Sequence, residues 1–326
     1  MRSTHPTRPA LTPRAAPAPG TPPSAATDPA VPPAAAELAA RPELATTPQM
    51  AVALDFAVAP HHAATPVSAA PPPPAGPLIR VINPNTSHAM TELIGACARQ
   101  VAAAGTRVEA VSPAMGPASI ESHYDEALAV PGVLAEIARG EAAGATGYVI
   151  ACFGDPGLDA ARELARGPVV GIAEAAMHAA SLLGRSFSVV TTLGRTRGRT
   201  WDLADRYGLR PLCRSVRACE VPVLELETNP QARAKIVAEC RAAVTADEAE
   251  VIVLGCAGMA DLCRALTAEL GVPVVDGVAA ATVLVEALVR LGLATSPRGE
   301  YAPPPPKPFA GLLAPFGIPR PTPAPR

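Results

Sequence analysis

From residue 78 onward the chain alternates two hydrophobic patterns. Short unbroken apolar runs predict buried strands, and each is followed by a stretch whose apolar positions recur at three and four residues, which predicts an amphipathic helix. LIRVINPN (78–85) is such a run, stopped by Asn-Pro-Asn, and SHAMTELIGACARQVAAAG continues as helix with Ser87 placed as N-cap and Gly105 as stop. TRVEAVSPAMGP reads as a second strand, and DEALAVPGVLAEIARGEAAG as helical material interrupted at Pro131. GYVIACFGDPG is a strand with no polar alternation, the pattern of a parallel sheet buried on both faces. A short helix, LDAARELARG, and a further strand, GPVVGI, complete this half, with AEAAMHAASLLG helical after them.

The order then repeats. SFSVVTTLGRT and VRACEVPVLEL read as strands flanking an Arg-rich helix around Trp201, QARAKIVAECRAAVTADEAE as helix, VIVLGCAGM as a buried strand, and MADLCRALTAELG, VPVVDG and VAAATVLVEALVRLG as helix, strand and closing helix. SFSVVTTLGRT aligns with LIRVINPNTS and VIVLGCAGM with YVIACFGDPG, which puts Cys256 104 residues after Cys152 at a matching place. Alternating strands and helices imply parallel sheets with right-handed crossovers, which bind ligands at the C-terminal ends of their strands. Both cysteines fall there, so the duplication would face them across one cleft.

Composition limits this pattern to the middle of the chain. Of the 40 prolines, 19 precede residue 78 and 10 follow residue 300, so both ends are expected to be disordered, too poor in large apolar side chains to offset their ordering entropy. The N-terminal segment carries Arg2, Arg8 and Arg14 but no apolar stretch of signal-peptide length, which argues against export. Met50 opens MAVALDFAVAP and offers an alternative start. The formal net charge is −2 and the arginines are scattered among acids, so no basic face for nucleic acid is expected. No apolar stretch reaches the ~18 residues of a membrane span. The expected setting is cytoplasmic.

Seven cysteines include no C-x-x-C pair, and the six histidines do not cluster beside them, so no metal site is expected. An odd number without a secretory signal points to free thiols, and Cys97 and Cys240 in Ala-rich helices read as small packing residues. The same reading would serve Cys152 or Cys256 alone. It is their matching positions in two halves that point to chemistry. A cysteine at a helix N-terminus has a lowered pKa and can act as a base. A second thiol, protonated and on the opposite face of the same carbon, can act as acid, and the pair can invert a stereocentre. Contacts of about 3 to 3.5 Å from each sulfur to that carbon put the sulfurs about 7 Å apart, whereas a disulfide of ~2.05 Å would leave no room. The resulting enolate needs donors, and Gly154, Gly255, Ala257 and Gly258 would leave backbone N–H groups open to it.

Cofactor routes have little support. A pyridoxal Schiff base requires a lysine, and the two present are Lys307 in the tail and Lys235 in a polar helical stretch. No G-x-G-x-x-G follows a strand and no P-loop occurs. No cofactor is expected.

VINPNTS, PASIES (117–122), ACFGDPGLDAARE, VVGIAEAAMHAA, FSVVTTL, VLGCAGMADL, VPVVDGVAAA and the YAPPPPKP tail together resemble the hydantoin and allantoin racemase branch of the aspartate/glutamate racemase superfamily, from about Leu78 to Pro308. The resemblance implies an α/β fold of two pseudosymmetric, flavodoxin-like parallel-sheet domains with the active site in the cleft between them. One half would span 78–182 with the closing helix at about 278–292 and the other 183–277, between a Pro/Ala-rich extension at 1–77, which is not part of the family pattern, and a tail at 300–326. It implies a cofactor-independent racemase of 5-substituted hydantoins or allantoin, a small cyclic ureide as partner, and a homo-oligomer. Cys152 and Cys256 match the catalytic pair. By the same resemblance Asn85, Ser119, Ile120, Glu121, Gly154, Thr191, Thr192, Gly255 and Ala257 bind the ring.

Simpler readings stand beside these. Asn85 could be turn chemistry, Glu121 a helix cap, and Thr191 and Thr192 ordinary strand residues. His123 and Tyr124 read as surface groups and His178 as part of a packed helix, while Asp155 and Asp276 could orient the cysteine loops through backbone hydrogen bonds. The nearest candidate guanidiniums are Arg195 and Arg197. A site made mainly of amides and hydroxyls favours an uncharged ring over a dicarboxylic acid. An amino-acid racemase, or a related isomerase or decarboxylase, is the alternative enzyme, and a thiol redox sensor the non-enzymatic one.

Overall fold

The computed structural model describes residues 76–226 and 228–318. The expectation for residues 1–75 lies outside them. The elements run β1 (Leu78–Ile82), α1 (His88–Val101), β2 (Arg107–Val111), α2 (His123–Ala143), β3 (Gly147–Ile150), α3 (Leu158–Leu164), β4 (Val169–Gly171) and α4 (Ile172–Leu183). They continue as β5 (Phe187–Thr191), α5 (Arg197–Arg206), β6 (Cys213–Ala218), α6 (Ala232–Thr245), β7 (Val251–Gly255), α7 (Cys263–Leu270), β8 (Val274–Val275) and α8 (Gly277–Arg290). The strands form two parallel four-stranded sheets, β2-β1-β3-β4 and β6-β5-β7-β8. The second order repeats the first element for element, as the sequence duplication requires. This is the duplicated flavodoxin-like α/β architecture.

The inner strands β1, β3, β5 and β7 are buried along their whole length because each faces two apolar layers, while the edge strands β2 and β6 keep exposed polar positions. Ile79, Val81 and Val149 of the first sheet and Phe187, Val189, Val251 and Val253 of the second share one core with α1, α4 and α8 between the sheets. Ile82, Tyr148 and Ile150 point outward to Val133 and Ile137 of α2 and Leu158 of α3. Val190, Ile252 and Leu254 point outward to Ile236 and Cys240 of α6 and Leu266 of α7. Helix α8 packs on β3, α1 and α4. Glycines admit the close approaches: a Cβ on Gly147 would stand 2.9 Å from Val285 of α8, and one on Gly140 would stand 2.5 Å from the Tyr148 ring.

Helix α2 runs unbroken through Pro131, where the sequence led us to expect an interruption. The proline removes one backbone donor, but Ala129, Gly132, Val133, Glu136, Ile137 and Gly140 bury one face of the helix around it. That packing outweighs the local preference. Ser87 caps α1 through the Met90 amide, as its position predicted. The C-terminal segment departs from the expectation of disorder as far as it is described. Tyr301 reaches the Asp159 carboxylate and lies under the Arg162 guanidinium, and Lys307 bridges to Ile318. An aromatic side chain and these polar contacts supply what prolines alone could not. Among the described residues no helix is long and apolar enough to cross a membrane.

Candidate active site

Each sheet places one cysteine by the same route. Strands β1 and β3 pair side by side, and the chain leaves β3 through Ala151 into Cys152. Strands β5 and β7 pair equivalently, Thr191 opposite Gly255, and the chain leaves β7 directly into Cys256. In each sheet this is where the strand order reverses, the place at which open parallel sheets bind ligands. The two ends open on one cleft.

Its walls include Asn85, Ile120, Cys152, Gly154, Thr191, Thr192, Gly255, Cys256 and Ala257. These nine positions, separated widely in sequence, were all anticipated. Ser119 and Glu121 were anticipated as well but do not line the cleft. Glu121 neither contacts the cavity nor caps α2, a role that Ser122 takes. Its carboxylate accepts a 2.6 Å hydrogen bond from the Val223 backbone N–H, and Val223 is itself a cleft residue. Ser119 precedes Ile120 in the same loop, so it carries a lining residue without being one. None of the seven cysteines is joined in a disulfide, Cys152 and Cys256 included.

The polar groups of the cleft are held by their neighbours. The Asn85 side-chain oxygen accepts from the Ser87 amide and from Asn83 Nδ2, an Asx turn that fixes the residue, while its own Nδ2 is directed at the Met90 sulfur. Asn85 therefore makes the turn and also lines the cleft. Thr191 and Thr196 join hydroxyls at 3.0 Å, and Thr200 donates to the Thr196 carbonyl.

Sequence reasoning missed Thr196, Arg199 and Thr200, which all line the cleft, together with Met90, Phe153 and Val223. The guanidinium at the site is that of Arg199, not of Arg195 or Arg197. Positions 196, 199 and 200 are spaced i, i+3, i+4 and so share one helix face. That spacing was the available signal. Arg199 pairs with Glu126 of α2 and lies against the backbone of Gly154, where a Cβ would stand 3.0 Å from its guanidinium carbon. A second pocket adjoins the cleft beyond Gly154 and Arg199, walled by Glu126, Asp155, Asp159, Asp202 and Arg206 among others.

Cys152 does not have the electrostatics expected of a helix N-terminus. Helix α3 begins only at Leu158, and burial pushes the Cys152 thiol up to about 11. The Arg199 charge and the Gly154 N–H oppose that rise, while Asp155 and Glu126 add to it. Asp155 itself, at a positive φ of 44°, caps α4 by accepting from the Ala173 and Glu174 amides, and it accepts from the Tyr207 hydroxyl at 2.6 Å. Asp276 caps α8 through the Ala279 amide and accepts from the Cys97 thiol. Their carboxylates thus fix helix starts, while the Asp155 backbone N–H donates to the Cys152 carbonyl at 2.9 Å and so holds the first cysteine loop. His178 is exposed on α4 where a packed position was expected, Tyr124 is exposed as expected, and Lys235 is exposed on α6. Among the described residues no group of three or more His, Cys, Asp or Glu could hold a metal ion.

Burial pushes the Asp155 carboxyl up to about 6 from its ordinary 3.8, against the three hydrogen bonds that hold it down. The folded protein therefore keeps this proton more firmly than the unfolded chain does. Its contribution to stability is full below pH 3.8 and is lost as pH rises through 6. The melting temperature of the wild type relative to Asp155→Asn is expected to fall between pH 4 and 6 and to level off above. A difference that stays flat across that interval would contradict this assignment.

Comparison with known proteins accords with the geometry. Residues 79–285 match the family described as Asp/Glu/Hydantoin racemase. Hydantoin racemase of Rhizobium meliloti is 51% identical over 234 residues, 72% of this chain and 97% of that protein. Hydantoin racemase of Pseudomonas sp. (strain NS671) is 49% identical over 240 residues, 73% of this chain and 96% of that protein. Among solved structures, allantoin racemase from Klebsiella pneumoniae is 52% identical with a TM-score of 0.73, covering 74% of this chain and 99% of that one. The chain therefore belongs to the Asp/Glu/hydantoin racemase family, in its hydantoin and allantoin racemase branch.

Proposed function

We propose that the protein is a cofactor-independent racemase of hydantoin-type rings, 5-substituted hydantoins or allantoin, with Cys152 and Cys256 as its base and acid. The observation that carries this reading is that two cysteines outside any disulfide, at duplicated strand ends, line one cleft. A thiolate on one face takes the proton from C5, and the C–H electron pair moves into the adjacent carbonyl to give an enolate. The thiol on the other face then protonates C5 as the enolate collapses. The first sulfur ends as thiol and the second as thiolate, so the enzyme is left ready for the opposite enantiomer.

The cleft suits an uncharged ring. Its lining is threonines, Asn85, glycines and apolar side chains, and the charged residue there, Arg199, is already paired with Glu126. An enolate within a ring that carries carbonyls on both sides of its nitrogen is stabilised by the substrate itself. A free amino-acid carboxylate would add a second negative charge on deprotonation and so demand more from the donors of the cleft than an uncharged ring does. The relatives named hydantoin racemase and allantoin racemase support the same substrate class. The proposal includes a homo-oligomer, which light scattering would test, a monomer removing that part.

A side-by-side panel of allantoin, 5-substituted hydantoins, aspartate and glutamate, each as a single enantiomer, tests the reading by loss of optical rotation. Turnover of a ring compound with amino acids untouched is expected. Turnover of the amino acids alone would favour the alternative enzyme class.

A further inference from the structure

A partly desolvated thiol that must serve as a base is helped by a positive charge near it. We infer that Arg199 is the residue that makes Cys152 usable as a base, and that Glu126 moderates it through their ion pair. This rests on the reading of Cys152 as one of the two acid–base groups.

The geometry has three parts. Arg199 shares the cleft wall with Cys152 and Gly154. Its guanidinium lies against Gly154, two residues beyond Cys152, where a Cβ would stand 3.0 Å from the guanidinium carbon, so the glycine is what lets the cation approach the cysteine loop. Its other side is tied to Glu126 near the start of α2, and the Arg199 side chain is only 13% exposed, so the position is fixed and poorly screened by solvent. The charged and titratable groups facing Cys152 are Arg199 from α5, Glu126 from α2 and Asp155 from its own loop, with Cys256 across the cleft. Arg199 is the cation of this set. Removing it leaves desolvation and two carboxylates acting in the same direction against the thiolate. Removing Glu126 takes away a negative charge and leaves the Arg199 charge undivided. The two substitutions should therefore act in opposite directions, which loss of structure would not produce.

The test is the pH dependence of iodoacetamide alkylation, read by mass spectrometry on the Cys152-bearing peptide of the full-length enzyme, beside the pH profile of kcat/KM. Arg199→Met is expected to move half-alkylation of Cys152 upward by about one pH unit or more, and the acid limb of kcat/KM with it. Arg199→Lys should restore most of the shift, and Glu126→Gln should move both curves downward. Unchanged alkylation in Arg199→Met, or shifts of the same sign in Arg199→Met and Glu126→Gln, would overturn the inference even if Cys152→Ala is inactive. Persistent racemisation by Cys152→Ala would overturn both the inference and the assignment of Cys152 on which it rests. Should Arg199→Met fail to fold, Arg199→Gln is read in its place, with the same upward shift expected and an unchanged curve overturning the inference.

Discussion

Cys152→Ala and Cys256→Ala are each expected to lower racemisation by about 10²- to 10⁴-fold, the range associated with loss of a positioned acid or base. Inversion requires a proton to leave one face of C5 and another to arrive at the opposite face. Each sulfur does one of these in one direction and the other in reverse. Because enantiomers are equal in free energy, a variant must lose the same factor in kcat/KM from either side, which is an internal control on the measurement. Proton exchange with solvent need not fall equally. A variant that keeps one thiol can still deprotonate the enantiomer facing it and return a solvent proton to the same face. The two variants should therefore wash out the C5 proton of opposite enantiomers. Retained racemisation in both would exclude the two-thiol assignment. Neither substitution should unfold the protein, since both residues are half-buried at a cleft wall.

Glu136→Ala is expected to destabilise the fold by about 3 kcal/mol, lowering the melting temperature by roughly 6 to 12 °C. Arg80 lies in the middle of β1, and its side chain is 7% exposed. Its guanidinium donates to Glu136 of α2 at 2.6 Å and pairs with Glu109 of β2. Glu136 is as deeply buried and also pairs with Arg139. The cost of the substitution comes mainly from the charge left behind, with only the half-exposed Glu109 to meet it. The double variant Arg80→Met/Glu136→Leu removes both charges and keeps much of the volume, and should be more stable than Glu136→Ala. Calorimetry on the three proteins distinguishes these outcomes. A double variant less stable than the single one would mean that the pair stabilises the sheet beyond satisfying itself.

The strands and the two cysteines were legible in the sequence for a common reason. Parallel strands buried on both faces are short continuous apolar runs, and a residue just beyond such a run, such as Cys152 or Cys256, is placed by the run itself. Asn85, Thr191 and Thr192 were named from the family resemblance, and they too stand at or just beyond the ends of such runs. What the sequence did not disclose depends on packing across elements. Arg195 is nearer in sequence to the end of β5 than Arg199, but Gly194–Thr196 forms a 3-10 turn before α5 starts, and it is the residue on the face with Thr196 and Thr200 that lines the cleft. Glu121 appeared in a loop beside the site, yet its carboxylate is taken by the Val223 amide, a partner 102 residues away. Pro131 predicts a break by local preference, and only the buried face of α2 explains its absence. The thiol of Cys152 was expected to be acidified by a helix that begins six residues too late, and burial, which no single stretch of sequence states, raises it instead.

The central claim, that protons leave and arrive on opposite faces through two separate thiols, is tested most directly by supplying one enantiomer of the ring substrate in D2O and measuring deuterium at C5 at low conversion. The account predicts deuterium in the newly formed enantiomer and hydrogen in the recovered substrate, because one sulfur removes the proton while the other, already exchanged with solvent, donates. Deuterium appearing equally in both enantiomers, or hydrogen carried over into the product, would contradict it.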